Sequence, residues 1–261
     1  MMINQTINQL SEMRLSAMEA EFRRQYELPA MTSLSFDERF GLIVDAEWQS
    51  KSNAKIGRML KAAKLRCPEA CLEGIDFDEA RKLDRALVAR LSDMSWLKDG
   101  RHLFITGASG TGKTWIASAF GNAACRMGKK VSTYRMPRLL DELRAARASG
   151  TWTKLLAILE KPDLLILDDF GMDRLDTVHC RDMLEIVEDR QGSGSIIITA
   201  QLPVAQWHDI FEDATVADAA LDRVVHNSIR IELHGPSRRF VRDSAGGGGD
   251  PVAKRDKQGK G

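Results

Sequence analysis

Residues 107–114 read GASGTGKT and lie between an apolar run and a stretch with helical character. A glycine, four further residues and then Gly-Lys-Thr is the spacing of a P-loop. Glycines allow backbone N–H groups to turn towards one anion, and the start of the following helix favours the same negative charge. We therefore predict a nucleotide site in which Lys113 reaches the β- and γ-phosphates and the Thr114 hydroxyl takes a magnesium position. The predicted nucleotide contacts are Gly107, Ala108, Ser109, Gly110, Thr111, Gly112, Lys113, Thr114 and Trp115.

A second motif, LLILDDFG, begins at Leu164 and joins four apolar residues to two aspartates. The apolar run predicts a buried parallel strand, with the aspartates at its carboxyl end, where open α/β sheets bind ligands. A carboxylate near a P-loop holds Mg²⁺, and a second carboxylate is suited to act as a general base. We predict that Asp168 binds Mg²⁺, directly or through water, and that Asp169 polarises the water that attacks ATP.

Polar residues later in the chain extend this predicted site. Thr199 and Gln201 end the run SIIITAQ, a predicted strand between the acidic strand and the P-loop strand. A polar side chain there would sense the γ-phosphate and position water. Arg223 and the pair Arg238-Arg239 come later in the chain. Each is a candidate phosphate-binding residue, because the arginine guanidinium is planar and permanently charged. One arginine would reach a neighbour's ATP and another would act in its own subunit. The ordinary alternatives are a solvated strand end and surface ion pairs.

These motifs require an alternation of strands and helices, which the sequence shows from Leu103 onward. Strands are predicted at 103–106, 130–135, 164–169, 195–201 and 228–233, and helices at 113–127, 137–148, 177–190 and 203–211. This alternation predicts parallel pairing in a three-layer α/β fold, with the last strand at an edge.

The preceding part of the chain has helical periodicity and no strand signal. One helix is predicted to end at Leu28–Pro29, and another to begin with Ser35 as its N-cap and Glu38 completing a capping box. We predict a helical N-terminal domain at 1–70, an ATPase domain at 71–243 and a disordered, glycine-rich tail at 244–261.

A basic segment, KSNAKIGRMLKAAKLR at 51–66, contains six basic residues and no acidic one. At helical spacing several of these side chains share a face, which is suited to DNA phosphates. Few aromatic residues are interleaved, which argues against stacking on single-stranded bases. A solvated helix face is the alternative. The predicted DNA contacts are Lys51, Lys55, Arg58, Lys61, Lys64 and Arg66.

The overall composition is that of an ordinary globular protein, with 261 residues, 29% charged residues and a net charge of +1. The polar amino terminus is not a signal peptide, and no apolar run approaches about 18 residues. We therefore expect a cytoplasmic protein with no membrane partner.

The combined motifs GASGTGKT, LLILDDFG, CRDMLEIVEDR, IIITAQLPVAQWHD and LDRVVHNSIRIEL resemble those of the IstB-type helper ATPases of insertion sequences. These are AAA+ proteins related to DnaC-type helicase loaders. The resemblance extends to about Phe240. It implies a P-loop AAA+ fold and a homo-oligomer joined through ATP-bridged interfaces on double-stranded DNA. It also implies recruitment or activation of a transposase encoded nearby.

The resemblance further assigns roles to individual residues. Thr199 or Gln201 matches sensor 1, Arg223 the arginine finger and Arg239 sensor 2. The family commonly has Gly-Glu-Ser before the last arginine, whereas this chain has Gly-Pro-Ser at 235–237, so Arg238 and Arg239 both remain candidates for sensor 2.

Two other functions are consistent with the same motifs. A helicase loader with the same ATPase core would bind a replicative helicase and prefer single-stranded DNA. A metabolic P-loop kinase would bind neither DNA nor a transposase. A neighbouring reading frame that encodes an integrase-type transposase would favour the transposition helper.

Overall fold

The N-terminal part of the chain is built from three helices. The computed structural model describes residues 2–226 and 228–238. The predicted single helix before Leu28 is wrong, because Arg14 adopts a left-handed φ of 58° and separates two shorter helices. Ser35 caps the third helix as predicted, since its hydroxyl accepts from the Glu38 N–H and the Glu38 carboxylate accepts from the Ser35 N–H. The helices are α1 (Met2–Glu12), α2 (Ser16–Glu27) and α3 (Phe36–Ala63), with a 3₁₀ turn at Pro29–Ser33.

A buried carboxylate ties α2 to α3. Glu47 on α3 accepts hydrogen bonds from the backbone N–H groups of Ala17 and Met18, at 3.0 and 3.1 Å. No side chain of α2 itself caps that end. Glu47 therefore satisfies the open N–H groups of α2 and places negative charge at the positive end of its dipole.

Large apolar side chains occupy an exposed face of α3. Phe36, Phe40, Val44 and Trp48 recur every four residues and are all exposed, and the two phenylalanine rings stack with centroids 5.8 Å apart. A contiguous apolar face of this kind is typical of surfaces that bind another protein.

A five-stranded sheet forms the centre of the remaining chain. Its order is β2-β3-β4-β1-β5, all pairs are parallel, and β5 lies at an edge as predicted. Side chains alternate between two apolar layers: Leu165 and Leu167 face one, Leu164 and Ile166 the other. The strands are β1 (His102–Gly107), β2 (Val131–Arg135), β3 (Leu164–Phe170), β4 (Ser195–Ala200) and β5 (Ser228–Leu233).

Helices cover both faces of this sheet and complete three layers. Two of them, α8 and α10, were not predicted, and the segment predicted as a helix at 203–211 is a 3₁₀ turn at Val204–Ile210. The helix α8 is short, and its two buried residues, Leu156 and Leu159, are too few to show a helical repeat in the sequence. The helices are α4 (Arg85–Leu91), α5 (Ser95–Lys98), α6 (Lys113–Arg126), α7 (Met136–Ala148), α8 (Trp152–Glu160), α9 (Thr177–Asp189) and α10 (Ala214–Val225), with a 3₁₀ turn at Glu79–Arg81.

The end of α3 joins the helical part to the sheet. Ala63 and Leu65 are buried in the same apolar layer as Ile116 and Phe120 of α6. The boundary at residue 70 stays a prediction, and the predicted tail at 244–261 lies outside the described residues. Within the described residues, no helix has the length and apolar character needed to cross a membrane.

Candidate functional site

The predicted P-loop connects the end of β1 to the start of α6. Gly107 has a φ of 143°, and a Cβ there would lie 2.3 Å from the carbonyl oxygen of Leu233 on β5. Only glycine fits that approach. Lys113 is the first residue of α6, and its Nζ donates to the carbonyl oxygens of Gly107 and Ala108, at 2.7 and 2.8 Å. The lysine ammonium thus lies over the loop, where a phosphate would meet it.

The loop opens into a cavity of about 610 Å³ at the carboxyl edge of the sheet. This volume lies in the range of small-molecule sites. Of the predicted nucleotide contacts, Ser109, Gly110, Gly112, Lys113, Thr114 and Trp115 line it. It is also lined by Arg66, Cys67, Gly74, Asp76, Arg81, Arg135, Asp169, Met172, Gln201 and Arg238.

Asp168 is buried behind this cavity at the end of β3, with 1% of its surface exposed. Its Oδ1 accepts hydrogen bonds from the hydroxyls of Thr114, at 2.9 Å, and Thr199, at 2.5 Å. Its Oδ2 is also buried, and no described residue donates a hydrogen bond to it. The Arg66 guanidinium lies 3.3 Å from this Oδ2 and forms an ion pair with it, without the alignment of a hydrogen bond.

The residues around Asp168 suit a magnesium ion. Mg²⁺ prefers oxygen ligands and is commonly held by one or two protein groups, with phosphate oxygens and water completing its shell. The Thr114 hydroxyl and the Asp168 carboxylate are adjacent oxygen donors, and the second carboxylate oxygen lacks a hydrogen bond. Across the described ranges, no group of three or more His, Cys, Asp or Glu side chains forms a metal cluster. Thr114 and Asp168 would therefore hold Mg²⁺ together with the nucleotide.

Asp169 faces the cavity and has an unusual backbone conformation. Its φ is 64°, in the left-handed region, where a non-glycine residue is uncommon. Its Oδ2 accepts from Arg135 Nε at 2.9 Å and lies 3.5 Å from Arg66 Nη1. Two guanidinium groups thus hold the predicted general base.

The two polar residues at the end of β4 lie at different depths. Thr199 is fully buried, and its Oγ1 donates to Asp168 while accepting from the Asp169 N–H at 3.0 Å. Gln201 is exposed and lines the cavity. The strand order places β4 between β3 and β1, as predicted. Thr199 therefore connects both aspartates, and Gln201 is positioned to contact a ligand.

The predicted phosphate arginines separate in space. Arg223 is on α10, donates to the Ala219 carbonyl and lies 2.8 Å from Glu188 of α9. It is not among the described residues that line the cavity. Arg238 does line it, forms ion pairs with Asp76 and Asp78, and donates its N–H to the Gly110 carbonyl at 2.9 Å. Arg239 lies outside the described residues.

The predicted DNA contacts also separate into two groups. Lys51, Lys55, Arg58 and Lys61 are exposed on α3, and Lys64 is exposed at its end. Arg66 does not belong with them, because its guanidinium lines the nucleotide cavity beside Asp168 and Asp169. The helix ends before Arg66, because Lys64 has a left-handed φ of 51° and redirects the chain; DNA binding by these residues stays a prediction.

Arg81 and Arg135 were not predicted as site residues. Arg81 is buried and donates to the Thr111 carbonyl of the P-loop at 2.9 Å. Burial lowers the pKa of Arg81 below its usual value, and the positive charge of Arg238 acts in the same direction. Arg135 ends β2, next to Asp168 in the sheet register. A basic residue at the carboxyl end of a predicted strand was the available sequence signal for Arg135.

Comparison with known proteins identifies a family of ATP-binding proteins. The family described as IstB-like ATP binding protein matches residues 8–245. The chain is 43% identical over 203 residues to a Pseudomonas fluorescens protein named for insertion sequence IS1162 and ATP binding, covering 78% of this chain and 88% of that protein. It is 41% identical over 239 residues to the Sinorhizobium fredii protein y4pL, named for an insertion sequence and ATP binding, covering 92% of this chain and 97% of that protein.

A crystal structure of the DnaC helicase loader has the same fold. Its TM-score is 0.53 at 20% sequence identity, covering 63% of this chain and 96% of that one. The predicted fold class is confirmed: a parallel sheet lies between helical layers, a P-loop follows β1 and a helical region precedes the sheet, in a fold shared with the DnaC helicase loader.

Proposed function

This chain belongs to the family of IstB-like ATP-binding proteins, and from that premise we propose that it hydrolyses ATP, assembles on duplex DNA and recruits or activates a transposase. Relatives are named as insertion-sequence ATP-binding proteins, a setting in which a transposase encoded nearby is the expected partner. The observation that carries the proposal is the convergence of Lys113, Thr114, Asp168 and Asp169 at one end of the sheet.

ATP hydrolysis is supported by the division of roles between the two aspartates. Mg²⁺ held by Thr114 and Asp168 neutralises charge on the phosphate oxygens when it is bound. Lys113 binds the β- and γ-phosphates. Asp169 takes a proton from water as the water oxygen bonds to the terminal phosphorus, and ADP leaves with the electrons of the broken P–O bond. In this structure Arg135 Nε donates to Asp169 Oδ2, which orients the carboxylate at the cavity.

Assembly through ATP is supported by the position of Arg223. Its side chain is 34% exposed and is held on α9 and α10 by Glu188 and the Ala219 carbonyl, outside its own cavity. A phosphate role for Arg223 therefore requires the nucleotide of a neighbouring subunit. ATP would then bridge two copies, and DNA that gathers subunits would stimulate hydrolysis.

DNA and protein binding are supported by two surfaces of α3. The exposed residues Lys51, Lys55, Arg58 and Lys61 would contact the phosphate backbone of a duplex, with strong salt dependence and little sequence preference. The exposed apolar residues from Phe36 to Trp48 are suited to a protein partner.

The first experiment measures ATP turnover and assembly size for the wild type, Lys113→Ala and Asp169→Asn. We expect duplex DNA with ATP to give the largest assemblies and the fastest turnover. Lys113→Ala should bind ATP weakly, whereas Asp169→Asn should bind ATP but turn it over about 100-fold more slowly. Normal turnover in Asp169→Asn would place the base elsewhere. A preference for single-stranded DNA and a replicative helicase would favour the helicase-loader function.

The second experiment mixes two inactive variants on duplex DNA. Arg223→Ala keeps its P-loop and Lys113→Ala keeps its arginine, so a mixed interface completes one site. An arginine finger contributes on the order of 10³-fold to turnover, so partial recovery should be readily measurable. The exposed α9 residue Arg181 supplies the control variant, Arg181→Ala, which should be active alone. Confirmed mixed assemblies without recovery would reject Arg223 as the finger.

A further inference from the structure

Arg66 is held at the edge of the nucleotide cavity by its two chain neighbours. Leu65 is buried in the apolar layer on one face of the sheet. It packs directly against Gly121 of α6, where an added Cβ would lie 2.6 Å from Leu65 Cδ2. The Cys67 N–H donates to the Ser118 hydroxyl on the same helix at 3.3 Å. Because α6 begins with the P-loop lysine, Arg66 is fixed relative to the phosphate site.

The Arg66 guanidinium lies between the two predicted catalytic carboxylates. Nη1 is 3.3 Å from Asp168 Oδ2 and 3.5 Å from Asp169 Oδ2, and the side chain is 42% exposed at the cavity mouth. Asp168 itself is almost fully buried. A cation beside two adjacent carboxylates reduces their mutual repulsion. Arg66 therefore neutralises the acidic end of β3 in this structure.

A bound nucleotide changes which anion is nearest to this guanidinium. A triphosphate adds negative charge in front of Lys113, and Thr114 and Asp168 are the groups that would hold its metal. The planar fork of arginine is well matched to phosphate oxygens. We propose that Arg66 contacts the terminal phosphate of ATP bound in its own subunit and thereby determines the preference for ATP over ADP. This inference rests on the proposed nucleotide function and adds a residue to it.

Arg66 would act in a different place from Arg223. The segment that carries Arg66 is fixed to the P-loop helix, whereas Arg223 lies outside its own cavity. Arg66 should therefore influence nucleotide preference in a single subunit, without DNA and without assembly. That property separates it from both a trans-acting finger and a DNA-binding residue.

The test compares the binding of AMPPCP and ADP, each with Mg²⁺ and without DNA, by isothermal titration calorimetry. Arg66→Ala should weaken AMPPCP binding about 10-fold or more, the scale of a lost hydrogen bond to a charged group that is partly exposed. ADP binding should change less than about 3-fold, because ADP lacks the terminal phosphate. Arg66→Lys keeps the charge without the fork and should show an intermediate loss.

The controls separate the alternative explanations. Arg90→Ala, at an exposed position of α4, should leave both affinities unchanged. Equal losses for AMPPCP and ADP in Arg66→Ala would overturn the proposal in favour of a general effect on the site. Unchanged nucleotide binding, with duplex binding reduced as in Arg58→Ala, would assign Arg66 to the DNA surface.

Two further arms complete the design. If Arg66→Ala does not fold, Arg66→Lys decides the question, since equal AMPPCP and ADP losses in that variant also overturn the proposal. Lys113→Ala tests the underlying function separately. Unchanged AMPPCP binding in Lys113→Ala would reject the P-loop site itself, whatever the result for Arg66.

Discussion

The Thr199 hydroxyl joins the two carboxylates that are predicted to be catalytic, and its removal should affect both stability and turnover. Thr199→Val keeps the shape of the side chain and replaces the hydroxyl with a methyl group. Thr199 is fully buried, so water cannot replace the lost partner. The hydroxyl donates to Asp168 Oδ1 at 2.5 Å and accepts from the Asp169 N–H at 3.0 Å.

The expected destabilisation follows from these two hydrogen bonds. A hydrogen bond to a charged group contributes about 1.5–3 kcal/mol, and a buried N–H left without a partner costs about 1–3 kcal/mol. The two terms are not additive, because Asp168 keeps its bond from Thr114. We expect Thr199→Val to lower the free energy of unfolding by about 3 kcal/mol. Thr199→Ser keeps both bonds, loses one buried methyl group and should cost about 1 kcal/mol.

The assay is urea unfolding of the wild type and both variants, followed by ATP turnover and ADP binding. The midpoint should decrease more in Thr199→Val than in Thr199→Ser, with similar slopes. Turnover should fall in the valine variant because the Asp169 backbone, at a φ of 64°, loses its hydrogen-bond partner. ADP affinity should change little. Equal stability of the two variants would show that the hydroxyl contributes nothing to folding.

Three further predictions concern other buried or crowded positions. Burial lowers the pKa of His102 to about 4, so the unfolded chain takes up a proton near pH 6.5 while the folded chain does not. The free energy of unfolding should therefore fall by about 3 kcal/mol as the pH decreases from about 6.5 to about 4. In His102→Gln, the midpoint of urea unfolding should depend less on pH over this range. Arg190→Met should lower the free energy of unfolding by about 3–5 kcal/mol, more than a surface arginine variant does, because several buried carbonyls would lose their donor. The buried guanidinium donates to the backbone carbonyls of Leu159, Glu160, Pro162, Asp163 and Ser195. Gly110→Ala would place a Cβ 2.0 Å from the Ser237 hydroxyl and should weaken ADP binding in calorimetry. Gly57→Ala is the control, because no atom lies within 4 Å of its Cβ and ADP affinity should not change. Equal ADP affinities in the two variants would show that the segment after β5 moves away without cost.

The sequence alone identified the parts of the site that are contiguous in the chain. The P-loop needs its glycines, lysine and threonine at fixed spacing, so residues 107–114 were recognisable without a fold. The same holds for LLILDDFG, because a buried parallel strand and the carboxylates at its end are adjacent residues. The alternation of strands and helices then predicted a parallel sheet, and the polar end of β4 was correctly expected beside β3.

Elements without a strong local pattern were predicted less well. The short helix α8 and the break at Arg14 depend on how a few residues pack, and the sequence periodicity does not define them. The left-handed conformation of Lys64 likewise ends α3 before the basic segment does. Because the chain turns at Lys64, Arg66 lines the nucleotide cavity and does not share the helix face of the exposed lysines of α3.

The distant residues that surround the nucleotide cavity are brought together by the packing of the fold. Arg66, Arg81 and Arg135 come from three separate segments, and each reaches the site through contacts that span about 30 to 100 positions of the chain. Arg135 meets Asp169 because β2 pairs with β3, and hydrophobic periodicity carries no information about strand order. An isolated arginine in a sequence has no partner that local spacing can reveal. The fold supplies that partner, because packing the sheet and its helices sets the distance between each guanidinium and the two carboxylates.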